Sequence, residues 1–261
     1  MSTATTIFEV EAPLAFLTFN RPEARNAMTW EMYEALVDAC ERVDRDDTVR
    51  VFVLRGAGGK AFVAGTDISQ FQTFRGADDG VKYERRIDDV LGRLERVAKP
   101  TIAQVEGVAA GGGCAIAATC DLRVATPEST FGVPIARTLG NCVSSATCRR
   151  LLDLAGPAMV KDLLFTGRFL SATDAHAAGL VSRIAAAAEI SSAVRQLATD
   201  IASNAPLTIR AAKEMVRRLT AKRGLGEGED RDLVELCYGS ADFKEGVEAF
   251  LAKRKPKWQG R

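Results

Sequence analysis

The segment TIFEVEAPLAFLTFN alternates apolar and polar residues on both sides of Ala12-Pro13, which predicts two paired strands ending at the Arg21-Pro22 turn. Thr29 then stands as the N-cap of an amphipathic helix whose buried side carries Met32, Leu36, Ala39, Cys40 and Val43. VRVFVLRG reads as a buried strand, followed by the glycine-rich loop GAGGKAFVAGTD. A charged helix is expected over residues 81–98, and beyond Pro100 a third core strand in TIAQVEGVAA. Three consecutive glycines, 111–113, follow it and lead into AIAATC, which has no polar face. Strand, glycine turn and apolar helix together predict a buried helix whose amino end opens on a cavity, with unpaired N–H groups that favour negative charge. Further helices are expected over residues 144–154, 157–165, 190–204, 206–222 and 241–253.

Composition narrows the classes of function. With 261 residues, 47% apolar and 26% charged, the chain can bury a sizeable core, and its net charge of +1 argues against nucleic acid or an anionic membrane as the main partner. MSTATTIFEV lacks the basic and apolar regions of a signal peptide, and no window is long and apolar enough to span a membrane, so a cytoplasmic protein is expected. The six cysteines show no CxxC pair and no zinc spacing, which reads as free thiols. His176 is the only histidine, so a Ser-His-Asp triad or a multi-histidine metal site is not expected, and its own place reads as a solvated short helix. GAGGKA lacks P-loop spacing, and neither G-x-G-x-x-G nor G-x-S-x-G occurs.

Six segments in order, NRPEARNAM (20–28), KAFVAGTDI (60–68), VEGVAAGGGCAIAATCDLRVA (105–125), STFGVPIARTLG (129–140), LSATDAHAAGLVSRI (170–184) and ADFKEGVEAFLAKRKPKW (241–258), resemble successive blocks of the crotonase superfamily, the enoyl-CoA hydratase/isomerase group. The resemblance implies an α/β fold: a spiral of ββα units making two roughly perpendicular sheets over residues 1–200, with a helical trimerisation region over 201–261. A homotrimer or dimer of trimers would follow. It implies an acyl-CoA thioester as substrate, with coenzyme A part of that substrate and no metal or separate cofactor. The thioester oxygen would lie between the backbone amides of Thr66 and Gly112. Arg25 would stand near the CoA phosphates, Ala64, Asp67 and Ile68 along the adenine and pantetheine path, and Phe250 and Lys253 where the carboxy-terminal helix reaches a neighbouring subunit's CoA. Asp67 also reads as a cap of the short helix after it, and the basic tail KRKPKWQGR as a solvated end or a weak polyanion site.

This chain departs from the family's hydratases at two places. Those enzymes carry glutamates after GGGC and after the later proline; here the positions hold Ala115 and Ile135, side chains that move no proton. Other groups could serve the acyl end. Cys142 reads as an activated thiol or a packed one, and Arg137 as a partner for a substrate carboxylate or a surface residue. Tyr83, Glu84 and Asp88 read as pocket groups or as a solvated helix face. Three functions remain open at this point: isomerase or lyase chemistry with an unusual acid/base, weak enoyl-CoA hydration, or noncatalytic acyl-CoA binding.

Overall fold

The structure is a computed structural model that describes residues 4–226 and 228–260. Residues 1–3 of the MSTATTIFEV start and residue 261 of the basic tail lie outside the described residues. Strands β1 (Thr6–Glu11) and β2 (Leu14–Phe19) pair antiparallel about Ala12-Pro13. Helix α1 (Trp30–Arg45) starts where Thr29 accepts the Met32 N–H, and buries all five apolar residues read from its pattern, together with Tyr33. There follow β3 (Val51–Gly56), β4 (Ala61–Val63), a 3-10 turn over Ile68–Thr73, and α2 (Ala77–Glu95).

The expected charged helix therefore begins four residues earlier than residue 81. Gly80 is a packing notch inside it, where an added Cβ would lie 2.1 Å from Cγ of Tyr238. TIAQVEGVAA is not one strand but two, β5 (Thr101–Val105) and β6 (Val108–Ala110). Gly107, at φ +73°, turns the chain between them, close enough to Lys60 that any Cβ would strike its carbonyl oxygen. Then come α3 (Gly112–Thr119), β7 (Leu122–Ala125), β8 (Thr130–Gly132) and α4 (Ile135–Thr138). Helix α5 (Ser145–Thr166) is interrupted at Gly156, so it matches the two helices expected there. After β9 (Phe169–Ser171), α6 (Ala172–Ala177) and β10 (Arg183–Ile184) the chain is helical: α7 (Ile190–Ser203), α8 (Pro206–Ala221), α9 (Arg231–Tyr238) and α10 (Ala241–Leu251). The sequence pattern did not reveal α9, which is short and flanked by glycines.

The strands form a six-stranded sheet, β1-β2-β3-β5-β7-β10, and a four-stranded one, β4-β6-β8-β9. In the first sheet every pairing except β1 with β2 is parallel. One face packs Leu14, Phe16, Val51, Val53 and Ile102 against Val194 and Leu197 of α7, while the alternate residues Leu17, Phe52 and Leu54 join the main core. Coverage on both faces explains why β2 is buried along its whole length. The turn at Gly107 carries the chain from the first sheet to the second, so β6 delivers the triple glycine beside β4. No helix among the described residues is long and apolar enough to cross a membrane. His176 is exposed, and its Nδ1 lies 2.8 Å from the Val181 carbonyl oxygen.

Candidate active site

A loop and a helix terminus meet at the site. Met28 donates its N–H to the Gly65 carbonyl (2.8 Å) and accepts the Asp67 N–H (2.9 Å), which fastens the AGTD loop on both sides of Thr66. Asn26, fully buried, holds the approach: its Oδ1 accepts the Arg21 N–H and its Nδ2 donates to the carbonyls of Ala57 and Ala61. Opposite, Gly112 is the first residue of α3, so its N–H has no partner inside the helix.

Each glycine of the run has a different reason. Gly111 takes φ +50°. At Gly113 a Cβ would lie 2.0 Å from the Val63 carbonyl oxygen, so the residue must be bare for α3 to pack on β4. At Gly112 a Cβ would lie 2.8 Å from the Tyr33 hydroxyl and 3.8 Å from the Thr66 amide nitrogen, occupying the space between the two elements. Close packing thus accounts for Gly112 and Gly113, against Tyr33 and Val63, and backbone conformation for Gly111.

The space is part of a cavity of about 460 Å³. Thr66, Gly112, Tyr83, Glu84, Ala115 and Ile135 line it, and Arg25, Ala64, Asp67, Ile68, Cys142 and Phe250 do so too. Arg25 and Phe250 are exposed and so belong to its rim, whereas Glu84 and Ala115 are buried. Thr66 is steered by two phenols: its Oγ1 lies 2.8 Å from Tyr33 Oη and 2.7 Å from Tyr83 Oη. Burial pushes the Tyr33 phenol up to about 12 and the Tyr83 phenol well above its usual value, so both stay protonated and act as neutral hydrogen-bonding groups.

The structure corrects several site expectations. Arg137 is exposed on α4 and does not line the cavity, which Ile135 of the same turn does; it offers no charge to an acyl group there. Cys142 lines the cavity, but the neighbouring Cys237 thiol and burial push its thiol up, the opposite of activation. Glu84 is no solvated residue: it is 7% exposed, and burial raises its carboxyl to about 8 against the hydrogen bond from Tyr238. Asp67 is engaged by Arg21 at 3.2 Å and caps the 3-10 turn through the Ser69 N–H, the capping role read as its alternative. Helix α10 packs on its own chain, against the 3-10 turn and α4, and Phe250 lines this chain's cavity. Lys253 is exposed and outside the lining. Beyond it the tail folds back, with Arg254 paired to Glu245 and the Gln259 and Gly260 amides donating to Asp242.

Residues 9–261 match the family model described as enoyl-CoA hydratase/isomerase. The chain belongs to this family. Within the enoyl-CoA hydratase/isomerase family it is 34% identical over 250 residues to the short-chain-enoyl-CoA hydratase of Clostridium acetobutylicum, covering 95% of each chain. It is 36% identical over 255 residues to the crotonyl-CoA hydratase of Syntrophomonas wolfei, again covering 95% of each. Its fold is the family's crotonase fold. A methylmalonyl-CoA decarboxylase in complex with 2-nitronate-propionyl-CoA superposes with a TM-score of 0.91 at 28% identity, all of each chain being covered.

Proposed function

We propose that this family member is an enzyme on an acyl-CoA thioester, that the N–H groups of Thr66 and Gly112 receive the thioester oxygen, and that the reaction is isomerase or lyase chemistry through an enolate. The observation that carries the reading is that Thr66 and Gly112, the latter at the amino end of α3, line one cavity that has Ala115 and Ile135 on its wall. Donors fixed at the position of a developing oxyanion lower the barrier without reorganising. A methyl and a butyl group cannot activate water, so the two-glutamate route to hydration has no carriers at these positions. In this reading Arg25, at the rim, meets the CoA phosphates, and Ala64, Ile68 and Phe250 follow the coenzyme's path with Asp67 beside them; that all five line the cavity supports it. Coenzyme A enters with the substrate. The likeness to a methylmalonyl-CoA decarboxylase supports a lyase; the names of the hydratase relatives favour weak enoyl-CoA hydration as the second reading.

Saturated, enoyl and carboxyacyl-CoA thioesters incubated with the protein in deuterated water, and followed by mass spectrometry, test this. Deuterium at the α carbon, an isomer or a decarboxylated product is the expected result, with little water added to crotonyl-CoA. Efficient hydration would favour the second reading. Binding without exchange or turnover would leave a noncatalytic acyl-CoA-binding protein.

The assembly is part of the proposal. Helix α8 buries none of its residues and exposes Leu207, Met215 and Leu219, an apolar face suited to a second copy in a homotrimer or dimer of trimers. Light scattering is expected to give three or six chains; a monomer at micromolar concentration would refute it.

A further inference from the structure

We infer that Glu84 is the proton donor of this cavity, and that the enolate it quenches is formed by loss of carbon dioxide from a carboxyacyl thioester. The inference rests on the enolate reading above and specifies its reaction.

Two carboxyl groups line the cavity among the described residues, Asp67 and Glu84. Arg21 and Ser69 occupy Asp67. Glu84 sits in α2, and α9 closes over that helix, bringing Tyr238 against it. The Tyr238 hydroxyl donates to Oε1 at 2.5 Å and the Ser144 N–H to Oε2 at 3.1 Å, while Asn141 Nδ2 donates to the Tyr238 oxygen at 3.1 Å. The charged groups that act on it are Asp88, one turn along α2, and Asp230, just before α9; Tyr83 and Tyr238 are neutral. No ion pair joins Glu84 to a cation among the described residues. Asp88 is itself engaged by the Ser144 hydroxyl at 2.7 Å. Dry surroundings and anionic neighbours keep the proton on Glu84 at neutral pH, in line with its carboxyl being raised to about 8.

A resting acid suits a reaction that begins without a base. The bond from Cα to the substrate carboxylate breaks, its electron pair becomes the enolate held by the Thr66 and Gly112 amides, and carbon dioxide leaves. The Glu84 O–H bond then breaks as the Cα–H bond forms, the oxyanion returns to the thioester carbonyl, and Glu84 is left as a carboxylate with its two donors, to be reprotonated from water. The net change is carboxyacyl thioester plus one proton to acyl thioester plus carbon dioxide. Ala115, Ile135, Leu139 and Val143 line the chamber and offer the substrate carboxylate no counter-charge, which favours its departure as a neutral molecule.

Malonyl-CoA and its 2-methyl homologue serve as probes. Wild-type carbon dioxide release is expected to be level below pH about 8 and to fall above it. Glu84→Gln, which copies the neutral acid in shape, should lose about 100-fold or more in kcat, while propionyl-CoA binds within about threefold of wild type. Tyr238→Phe removes a donor from the carboxylate, so as a positioning change it should move the alkaline limb upward with KM little changed. The infrared band of a buried protonated carboxyl should titrate with that limb, shift when propionyl-CoA binds, and be missing from Glu84→Gln. Unchanged turnover in Glu84→Gln would overturn the inference, as would exchange into propionyl-CoA without carbon dioxide release, which leaves the enolate reading standing. If wild type shows neither turnover nor exchange, the enolate reading falls and the inference with it. A carboxyl band that titrates in the ordinary range overturns the role of Glu84 whatever the turnover.

Discussion

Gly112→Ala is expected to yield a folded protein with its thioester chemistry largely gone. The new methyl would stand 2.8 Å from the Tyr33 hydroxyl, 3.4 Å from Thr66 Oγ1 and 3.8 Å from the Thr66 amide nitrogen. Tyr33 cannot retreat without loosening its contact to Thr66, so the methyl disturbs the residue whose amide is proposed to receive the thioester oxygen. Loss of one such donor costs roughly 3 to 4 kcal/mol of transition-state stabilisation, about 100- to 1,000-fold in kcat. Backbone conformation gives no protection: Gly112 is helical, and alanine is the better helix former. Gly113→Ala is the control with the opposite signature. There the methyl meets the Val63 main chain at 2.0 Å, so α3 must move off β4, at a cost of about 1–3 kcal/mol or more. Thermal melts and kcat/KM on both variants decide the matter. Turnover by Gly112→Ala within threefold of wild type would refute the oxyanion assignment.

Stability should decline as pH rises from about 4.5 to 8, and Glu84 should account for a slope of its own. Its carboxyl is raised from 4.5 to about 8 in the folded chain, chiefly by burial, so within this window the folded state holds a proton that the unfolded state has released. Stability then falls with pH, by an amount on the order of a few kcal/mol across the window, and levels off above it. Carboxylates held low by arginines, such as Glu95 beside Arg149 and Arg150, act the other way on the acid side. Urea unfolding of wild type and Glu84→Gln from pH 5 to 9 isolates the contribution. The Gln amide facing the Ser144 N–H adds an offset that does not vary with pH, so the readout is the difference in slope. Parallel stability curves would show that Glu84 ionises as freely in the folded chain as in the unfolded one.

Much of the proposed site can be read along the chain because it is made of backbone. Glycines at 111–113 and the apolar run after them read as a bare, buried helix terminus, and AGTD, which lines the same cavity, as the source of the second proposed amide. Ala115 and Ile135 are likewise legible as the absence of carboxylates at two places on the wall. Side chains that depend on distant packing were not legible. Residues 83–95, YERRIDDVLGRLE, carry enough charge to read as a solvated face, which left Glu84 with two readings, and Glu84 is buried where α9 lies across α2 with Tyr238 seated on Gly80. Nothing local marks α9 as a helix, so neither its packing on α2 nor the effect on Glu84 could be inferred. Arg137 fails as a pocket cation for a related reason: in a single turn of helix, Ile135 and Arg137 point to different sides, and the period alone does not say which side is inward.

The row of hydroxyls Tyr33, Thr66 and Tyr83 holds three protons for two hydrogen bonds. If the row runs from Tyr33 toward Tyr83, the last phenol has a proton left to offer the cavity; if it runs the other way, that phenol presents lone pairs only. Both arrangements carry the same charge and the same heavy-atom positions. Rotation of three O–H bonds therefore switches this wall between donor and acceptor, so one cavity can receive a carbonyl, an enolate or a water molecule in succession with no side chain changing rotamer.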